Sequence, residues 1–532
     1  MKDSAASCLI GAQVNLSAVN EARGKVYLVG AGPGAPDLIT VRGVDVIRSA
    51  DTVVYDYLAS PEIVQIAPAA AERIYAGKMG NGDVQFDQAA INQILIQHAR
   101  AGKRVVRLKG GDPFIFGRGG EEAEALVAAG IDFEVVPGVT SAIAVPAFAG
   151  IPLTHREYGS FVVFVTGHQG GEKNSTAVPW EELAHAARVR GTIVILMATA
   201  HLRQNLARLM AGGLAPETTC AAIQWGTTAA QKMVAAPIAT LADEVERAGL
   251  GAPAVVVVGE CARFASALNW VDRLPLFGRR IVITRAAAET AAFATRLRQL
   301  GAEAIEFPTI ETVPPDSYLQ LDGAIGRIQT FDWIVFTSAT GVEAFIERLR
   351  ILEADIRAAA GARIAAIGPA TAARLRHYGL KVAAVPTEYR AEALIEALTE
   401  RAIAGARILI PRAQIAREIL PQLLHKKGAE EVLVAAAYKT VTPYGADAER
   451  MRKLIRAGAI DLVTFTSSST VNNFQAMLGV QINGLKAAAI GPITAETATM
   501  SGFDVVITPT AYTVDSLIDA MLRYYHPDRN VI

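Results

Sequence analysis

The sequence predicts an α/β protein: a two-part α/β region followed by a pair of parallel, doubly wound lobes. Three observations predict it. Two apolar strands run directly into glycine corners, 25–29 into Val29-Gly-Ala-Gly-Pro-Gly34 and 104–108 into Gly110-Gly-Asp-Pro113. The chain beyond residue 279 repeats its own pattern of strands and helix-length segments, which indicates two similar parallel sheets. A length of 532 residues exceeds a single core, and a hydrophobic fraction of 51% suits several well-packed ones.

Taken in chain order, residues 1–23 are polar and weakly patterned and read as a flexible tail. Ala5-Ala-Ser-Cys8 has the shape of a lipoprotein cleavage box, but no apolar run precedes it. The first globular region spans 24–270 in two lobes, 24–139 and 140–270. Pro137-Gly138 closes the first, and Gly150-Ile-Pro-Leu-Thr-His-Arg156 opens the second, with strands expected at 161–166, 192–197, 221–224 and 254–258. Residues 271–278 carry Pro and Gly without periodicity and read as a linker.

The region 279–523 contains the repeat, and 524–532 forms a tail. Phe331-Asp-Trp-Ile-Val-Phe-Thr-Ser338 matches Ile460-Asp-Leu-Val-Thr-Phe-Thr-Ser467, and Ile367-Gly-Pro-Ala-Thr-Ala372 matches Ile490-Gly-Pro-Ile-Thr-Ala495. Ile281-Val-Ile-Thr-Arg285 pairs with Ile408-Leu-Ile-Pro-Arg412. Two copies imply two lobes around a cleft, where ligands preferentially sit. Hydroxyls and free N–H groups at the helix starts after Ser338, Gly368, Ser467 and Gly491 together suit an anionic ligand, although each turn taken alone reads first as only a helix cap.

A formal net charge of −1 gives no global attraction to nucleic acid or to an anionic membrane. An anionic substrate must therefore meet local arginines, of which Arg42, Arg107, Arg118 and Arg156 are candidates. Cys8, Cys220 and Cys261 fit neither a disulfide framework nor a metal site, which points to a reducing compartment and a cytoplasmic location. No segment approaches the roughly 18 apolar residues of a membrane span. His155 and His168 lack companion ligands at metal spacing, so no metal is expected.

The corner Gly30-Ala-Gly-Pro-Gly-Ala35 also satisfies G-x-G-x-x-A, with Asp51 downstream, which keeps an NAD-dependent dehydrogenase open as the alternative. Pro33 and Pro36 argue against the immediate helix start that a pyrophosphate needs.

Several motifs together carry a resemblance. They are Val26-Tyr-Leu-Val-Gly-Ala-Gly-Pro-Gly34, Val53-Val-Tyr-Asp56, Gly77-Lys78, Arg107-Leu-Lys-Gly-Gly-Asp-Pro-Phe-Ile-Phe-Gly-Arg-Gly-Gly120, Val136-Pro-Gly-Val-Thr-Ser-Ala142, Gly150 to Arg156, and Val165-Thr-Gly-His168. The region 24–270 resembles the two-lobed tetrapyrrole methyltransferases that use S-adenosylmethionine, and among them the uroporphyrinogen-III C-methyltransferases. The resemblance implies transfer of two methyl groups to uroporphyrinogen III, giving precorrin-2, with one S-adenosylmethionine spent on each. By the same resemblance Pro33, Gly110, Gly111, Asp112, Ile115, Thr140, Ser141, Met197 and Gly226 surround the methyl donor. Asp56 would accept a proton, Lys78 would donate one, and Arg118 and Arg156 would meet substrate carboxylates. The chain departs from the family pattern at Tyr57 and Met79, where arginines are usual, and at Ala35, often Asp.

The region 278–523 resembles uroporphyrinogen-III synthase through Ile283-Thr-Arg285, 331–338, Gly341-Val-Glu343, 408–412, Tyr438, Thr464-Phe-Thr-Ser-Ser-Ser469 and 489–495. The resemblance implies closure of linear hydroxymethylbilane with inversion of its last pyrrole. Tyr438 would donate to the leaving hydroxyl, and Ser338, Thr371, Ser467 and Thr494 would contact substrate, with Arg285 and Arg412 as weaker candidates. Tyr438 breaks the repeat, since Ile310 stands at the equivalent place. The lobes are expected to be discontinuous, 279–313 with 442–523 and 314–441. Together the halves imply consecutive steps toward sirohaem or cobalamin in a homodimer formed through the first half. The class-distinct alternative for the second half is a non-catalytic two-lobed binding module.

Overall fold

The computed structural model describes residues 24–77, 86–168, 178–386, 391–398, 400–416, 418–443, 448–479 and 482–527. The chain divides into two compact units, Met1–Arg279 with Arg298–Glu303, and Arg280–Leu297 with Ala304–Ile532.

The first unit carries two five-stranded sheets. Strands β1 (Lys25–Gly30), β2 (Thr52–Tyr55), β3 (Glu72–Tyr75), β4 (Arg104–Lys109) and β5 (Phe133–Val136) lie in the order β3-β2-β4-β1-β5, all parallel. Successive side chains on a strand face opposite ways. Val26, Leu28, Val54 and Val105 accordingly pack under the helices Gln88–Arg100 and Gly119–Ala128, with Leu95 and Leu126. Tyr27, Val29, Val53, Val106 and Leu108 pack on the other face with Val46, Ile47 and Ile63. A sheet covered on both faces needs near-continuous apolar strands, which is why these segments do not simply alternate with polar residues.

The second sheet contains β6 (Phe161–Thr166), β7 (Gly191–Leu196), β8 (Thr219–Gln224), β9 (Lys232–Pro237) and β10 (Ala254–Val258), ordered β6-β7-β10-β8-β9. Only β6 and β7 are parallel; the other three pairings are antiparallel. The helix Ser141–Phe148 packs on this sheet, its Ala142 and Val145 against Val194, Ile223 and Val257. Burying each of these valine and isoleucine side chains contributes roughly 1.5–3 kcal/mol.

The second unit holds β11 (Arg280–Ile283), β12 (Glu303–Glu306), β13 (Glu311–Val313), β14 (Trp333–Phe336), β15 (Arg363–Ala366), β16 (Val382–Ala384), β17 (Arg407–Ala413), β18 (Glu431–Val441), β19 (Leu462–Phe465), β20 (Lys486–Ala489) and β21 (Asp504–Ile507). They form two sheets, β12-β11-β19-β20-β21 and β13-β18-β17-β14-β15-β16. Leaving out β13 and ranking each strand within its own copy of the repeat (β11, β12, β14, β15, β16 and β17 to β21), both sheets read second-first-third-fourth-fifth. Each lobe therefore takes its edge pair from one copy of the repeat and its other three strands from the other. One detail differs from the expected division: β13 pairs antiparallel with β18, Glu311 opposite Val441, so the chain has entered the second sheet before residue 314. Among the described residues, no helix is long and apolar enough to cross a membrane.

Candidate functional site

Three corners meet at the carboxyl ends of β1, β4 and β5. Ala31 N donates to Lys109 O at 2.7 Å, Gly111 N to Gly32 O at 2.7 Å, and Gly32 N to Gly111 O at 3.2 Å. The two glycine turns thus form one hydrogen-bonded ladder beyond the sheet. Asp112 ties in the third corner: its Oδ2 accepts from Gly138 N at 3.0 Å, while Oδ1 accepts from Phe114 N at 2.8 Å and shapes the turn.

Glycine is required here by close approach. A Cβ on Gly30 would stand 2.5 Å from Gly138 Cα, and one on Gly138 would stand 2.2 Å from Gly111 O. Gly111 adopts φ +70°, and its open side faces the start of the helix Ser141–Phe148, where a Cβ would lie 3.7 Å from Ser141 N. Thr140 caps that helix, its Oγ1 accepting from Ala142 N at 3.3 Å. The result is a cradle of exposed backbone and a helix N-terminus, suited to a compact polar ligand.

The second sheet contributes the loop after β8. Ala35 N donates to Thr227 Oγ1 at 3.1 Å, Thr227 N donates to Gln231 Oε1 at 2.9 Å, and a Cβ on Gly34 would meet Thr228 Cγ2 at 2.9 Å. Gly226 lies so close to Val145 that a Cβ would fall within 2.3 Å of it. The structure thereby brings Gly110, Gly111, Asp112, Thr140 and Ser141 to one place, with Pro33 and Gly226 flanking the contact between the lobes. Met197 follows β7 with φ +55° and is 49% exposed. Ile115 is exposed on the long loop between Phe114 and Phe116. Strained positive φ values at Phe116, Arg118, Met197, Trp225 and Thr227 fall on these loops, as is common where a scaffold is shaped for a ligand.

The first corner does not lead straight into a helix. A single 3-10 turn, Pro36–Leu38, intervenes, and the helix Val41–Arg48 begins later under a Thr40 cap. A dinucleotide pyrophosphate would find no helix start at this corner.

Asp56 directly follows β2 and is partly buried. Its Oδ1 accepts from Leu58 N at 3.1 Å, and its Oδ2 accepts from Arg107 Nη2 at 3.4 Å. Burial and then the Asp56 charge raise the phenol pKa of both Tyr57 and Tyr75. Lys78 and Met79 lie outside the described residues.

Arg107 is not available to a substrate: it is 4% exposed and points from β4 into the sheet's interior, toward Asp56 and Glu122. Arg42 is engaged bidentately by Glu134. Arg118 and Arg156 are exposed; Arg118 pairs with Glu121 at 2.6 Å. Glu121 and Glu122 are adjacent acids in the first turn of the helix Gly119–Ala128. The structure separates them, leaving Glu121 in solvent and Glu122 fully buried. Strand period could have shown this, because Arg107 and Lys109 must face the same side as Val105, where the helix Gly119–Ala128 covers them.

His155 accepts from Glu157 N and stacks by Tyr158 and Phe264, while His168 stacks on His201. Among the described residues no group of three or more His, Cys, Asp or Glu could hold a metal.

In the second unit all four turns are helix caps. Ser338 caps Ala339–Ile351 by accepting from Gly341 N at 2.9 Å, and Ser467 forms a capping box with Thr470. Gly368 and Gly491 precede Pro369 and Pro492 at the first helical positions, and Thr371 and Thr494 are buried in those helices. Tyr438 stands on β18 at a register shift opposite Ala413, and its hydroxyl lies 3.0 Å from Ser338 Oγ. Arg412 is buried and paired with Glu418.

Comparison with known proteins agrees with this division. Residues 25–242 match the family model for tetrapyrrole (corrin/porphyrin) methylases, and 291–519 match that for uroporphyrinogen-III synthase HemD. The porphyrin biosynthesis protein HemD of Ruminiclostridium josui is 37% identical over 94% of this chain and 98% of its own. The S-adenosyl-L-methionine-dependent uroporphyrinogen III methyltransferase of Methanosarcina barkeri is 52% identical over 44% of this chain and 91% of its own. A Thermus thermophilus uroporphyrin-III C-methyltransferase solved with S-adenosyl homocysteine is 35% identical, covering 45% of this chain and 99% of its own, with a TM-score of 0.39. The chain therefore belongs to the tetrapyrrole methylase family through its first half and to the uroporphyrinogen-III synthase family through its second.

Proposed function

We propose that the second unit cyclises hydroxymethylbilane to uroporphyrinogen III and that the first unit methylates that product twice, giving precorrin-2. The observation that carries the reading is the interlocked cradle of Gly30, Gly111 and Gly138, in a chain aligned end to end with a porphyrin biosynthesis protein. The cradle fits S-adenosylmethionine because its glycines leave backbone open beside the Thr140-capped helix start. When bound, that co-substrate supplies a methyl group on a sulfonium, already activated toward a nucleophilic carbon.

The protein's own work is orientation and proton removal. Gly110, Gly111, Asp112, Thr140, Ser141, Pro33 and Gly226 hold the donor, with Ile115 and Met197 supplying apolar contact. Orientation of this kind supplies roughly 7–11 kcal/mol of a barrier. Asp56, at the end of β2, accepts the proton released by the pyrrole carbon, and Lys78 serves as donor. Arg118 and Arg156 pair with substrate carboxylates.

In the second unit Tyr438 donates to the departing hydroxyl. Ser338 already accepts from Gly341 N, so its own proton is free to orient the phenol oxygen 3.0 Å away. Backbone N–H groups at the helix starts after Ser338, Gly368, Ser467 and Gly491 receive carboxylates, with Thr371 and Thr494 shaping two of those starts. We further propose a cytoplasmic homodimer formed through the first unit.

Chromatography that separates the inverted from the uninverted macrocycle, coupled to mass spectrometry of the products made from hydroxymethylbilane and S-adenosylmethionine, tests both halves. A cyclised macrocycle carrying two added methyl groups supports the reading. Unmethylated uroporphyrinogen III refutes the first half, and the uninverted isomer alone refutes the second.

A further inference from the structure

We infer that Arg107 and Glu122 are positioning residues that hold the Asp56 carboxylate through a buried ionic brace. The inference rests on the reading of Asp56 as proton acceptor.

The brace runs from a helix, through a strand, to the site. Glu122 on Gly119–Ala128 is 0% exposed, and its Oε1 accepts from Lys109 Nζ at 2.8 Å, Arg107 Nε at 3.1 Å and Gln88 Nε2 at 3.2 Å. The Arg107 guanidinium is fixed a second time by donating from Nη1 to Leu108 O at 3.0 Å. Its remaining arm, Nη2, reaches Asp56 Oδ2 at 3.4 Å, while Leu58 N holds Oδ1 at 3.1 Å. Both carboxylate oxygens of Asp56 are thereby located, one by its own turn and one by a side chain that cannot move without disturbing Glu122.

Stability alone does not explain such a cluster. Burying the Arg107 and Lys109 cations with the Glu122 carboxylate carries a desolvation penalty that well-packed apolar side chains of similar volume would avoid. The cluster also leaves Glu122 Oε2 buried with no hydrogen-bond partner, a cost that native folds rarely carry without function. Burial, and then the Arg107 charge, lowers the Lys109 pKa, so the ammonium is under strain as well. What the arrangement does supply is a planar fork bridging two carboxylates, which a lysine in its place could not reproduce.

The test uses the full chain with Glu122→Gln, Asp56→Asn and the double variant. Methyl transfer to uroporphyrinogen III, calorimetric binding of S-adenosylhomocysteine and a crystal structure of Glu122→Gln are measured. The inference expects Glu122→Gln to lower kcat by about 10²-fold, the loss that a misplaced group produces, with KM for the methyl donor and S-adenosylhomocysteine affinity nearly unchanged. It expects the Asp56 carboxylate to have left Arg107 in the crystal, and the double variant to be no slower than Asp56→Asn alone. Wild-type kcat in Glu122→Gln beside an inactive Asp56→Asn overturns the brace and leaves the role of Asp56 standing. Equal losses of affinity and turnover overturn it in favour of a purely structural role. An active Asp56→Asn removes both readings. If Glu122→Gln yields no folded protein, Arg107→Lys undergoes the same measurements and is decided by the same outcomes.

Discussion

Replacing Gly138 with alanine should weaken binding of the methyl donor on the order of 10²-fold while leaving the second unit untouched. The added methyl group would stand 2.2 Å from Gly111 O and 2.6 Å from Gly30 Cα. Ordinary contact begins near 3.4 Å, so the shortfall against two backbones is about an ångström. Neither neighbour is the far end of a flexible side chain, so the corners themselves must separate. Overpacking of this kind costs roughly 1–3 kcal/mol. That should lower the melting transition of the first unit by several degrees, at about 2–4 °C per kcal/mol. The cradle would suffer more than the fold. A displacement of about 1 Å at a site that works by alignment costs on the order of 10²-fold, or about 2.7 kcal/mol. Gly120→Ala is the matched control, because a Cβ there meets nothing within 4 Å and lies on a helix that favours alanine. Isothermal calorimetry with S-adenosylhomocysteine, beside thermal melts of both variants, makes the comparison. Wild-type affinity in Gly138→Ala, or equal losses in the two variants, would refute the reasoning.

Other expected outcomes are as specific. Asp56→Asn should retain S-adenosylhomocysteine affinity and lose about 10²–10⁴-fold in methyl transfer, read by single-turnover assay; near-normal turnover would remove it from the chemistry. Tyr438→Phe deletes the hydroxyl beside Ser338 Oγ, so cyclisation should slow by a comparable factor of about 10²–10⁴. Its thermal stability should fall by only about 0.5–1.5 kcal/mol, the worth of one hydrogen bond. Burial raises the Cys220 thiol pKa, so the native thiol should resist maleimide at pH 8 and react only on unfolding. The sign of the linkage follows: an unfolded thiol ionises above about 8.5 and the buried one does not, so this cysteine's contribution is full below that pH and declines as pH rises. Cys220→Ala should flatten that alkaline limb of a denaturation series.

The legible parts of this fold were those written in short-range pattern. Strands β1 and β4 declared themselves because glycine corners ended apolar runs, and the repeat after residue 279 foretold two lobes of one topology. The edge strand β9 escaped notice because its short apolar stretch, Met233-Val-Ala-Ala236, is half exposed between Lys232 and Pro237, and its strand state rests on pairing with β8 alone. The crossing of β13 into the second sheet is likewise set by pairing with β18. At the site, residue type identified the corner glycines, whereas the tertiary fold decided which charges face the ligand. Arg107 looked like a substrate arginine until the helix Gly119–Ala128 was seen to bury it against Glu122. Thr227 carried no signal as a bridge to Ala35, because the hydrogen bond joins residues 192 positions apart.

The most direct test of the cradle is a crystal structure of the chain grown with S-adenosylhomocysteine. The ligand should lie across the corners at Gly32 and Gly111, beside the Thr140 cap and the loop holding Gly226. A cradle left empty at saturating ligand, or the ligand lodged elsewhere on the first unit, would contradict the account.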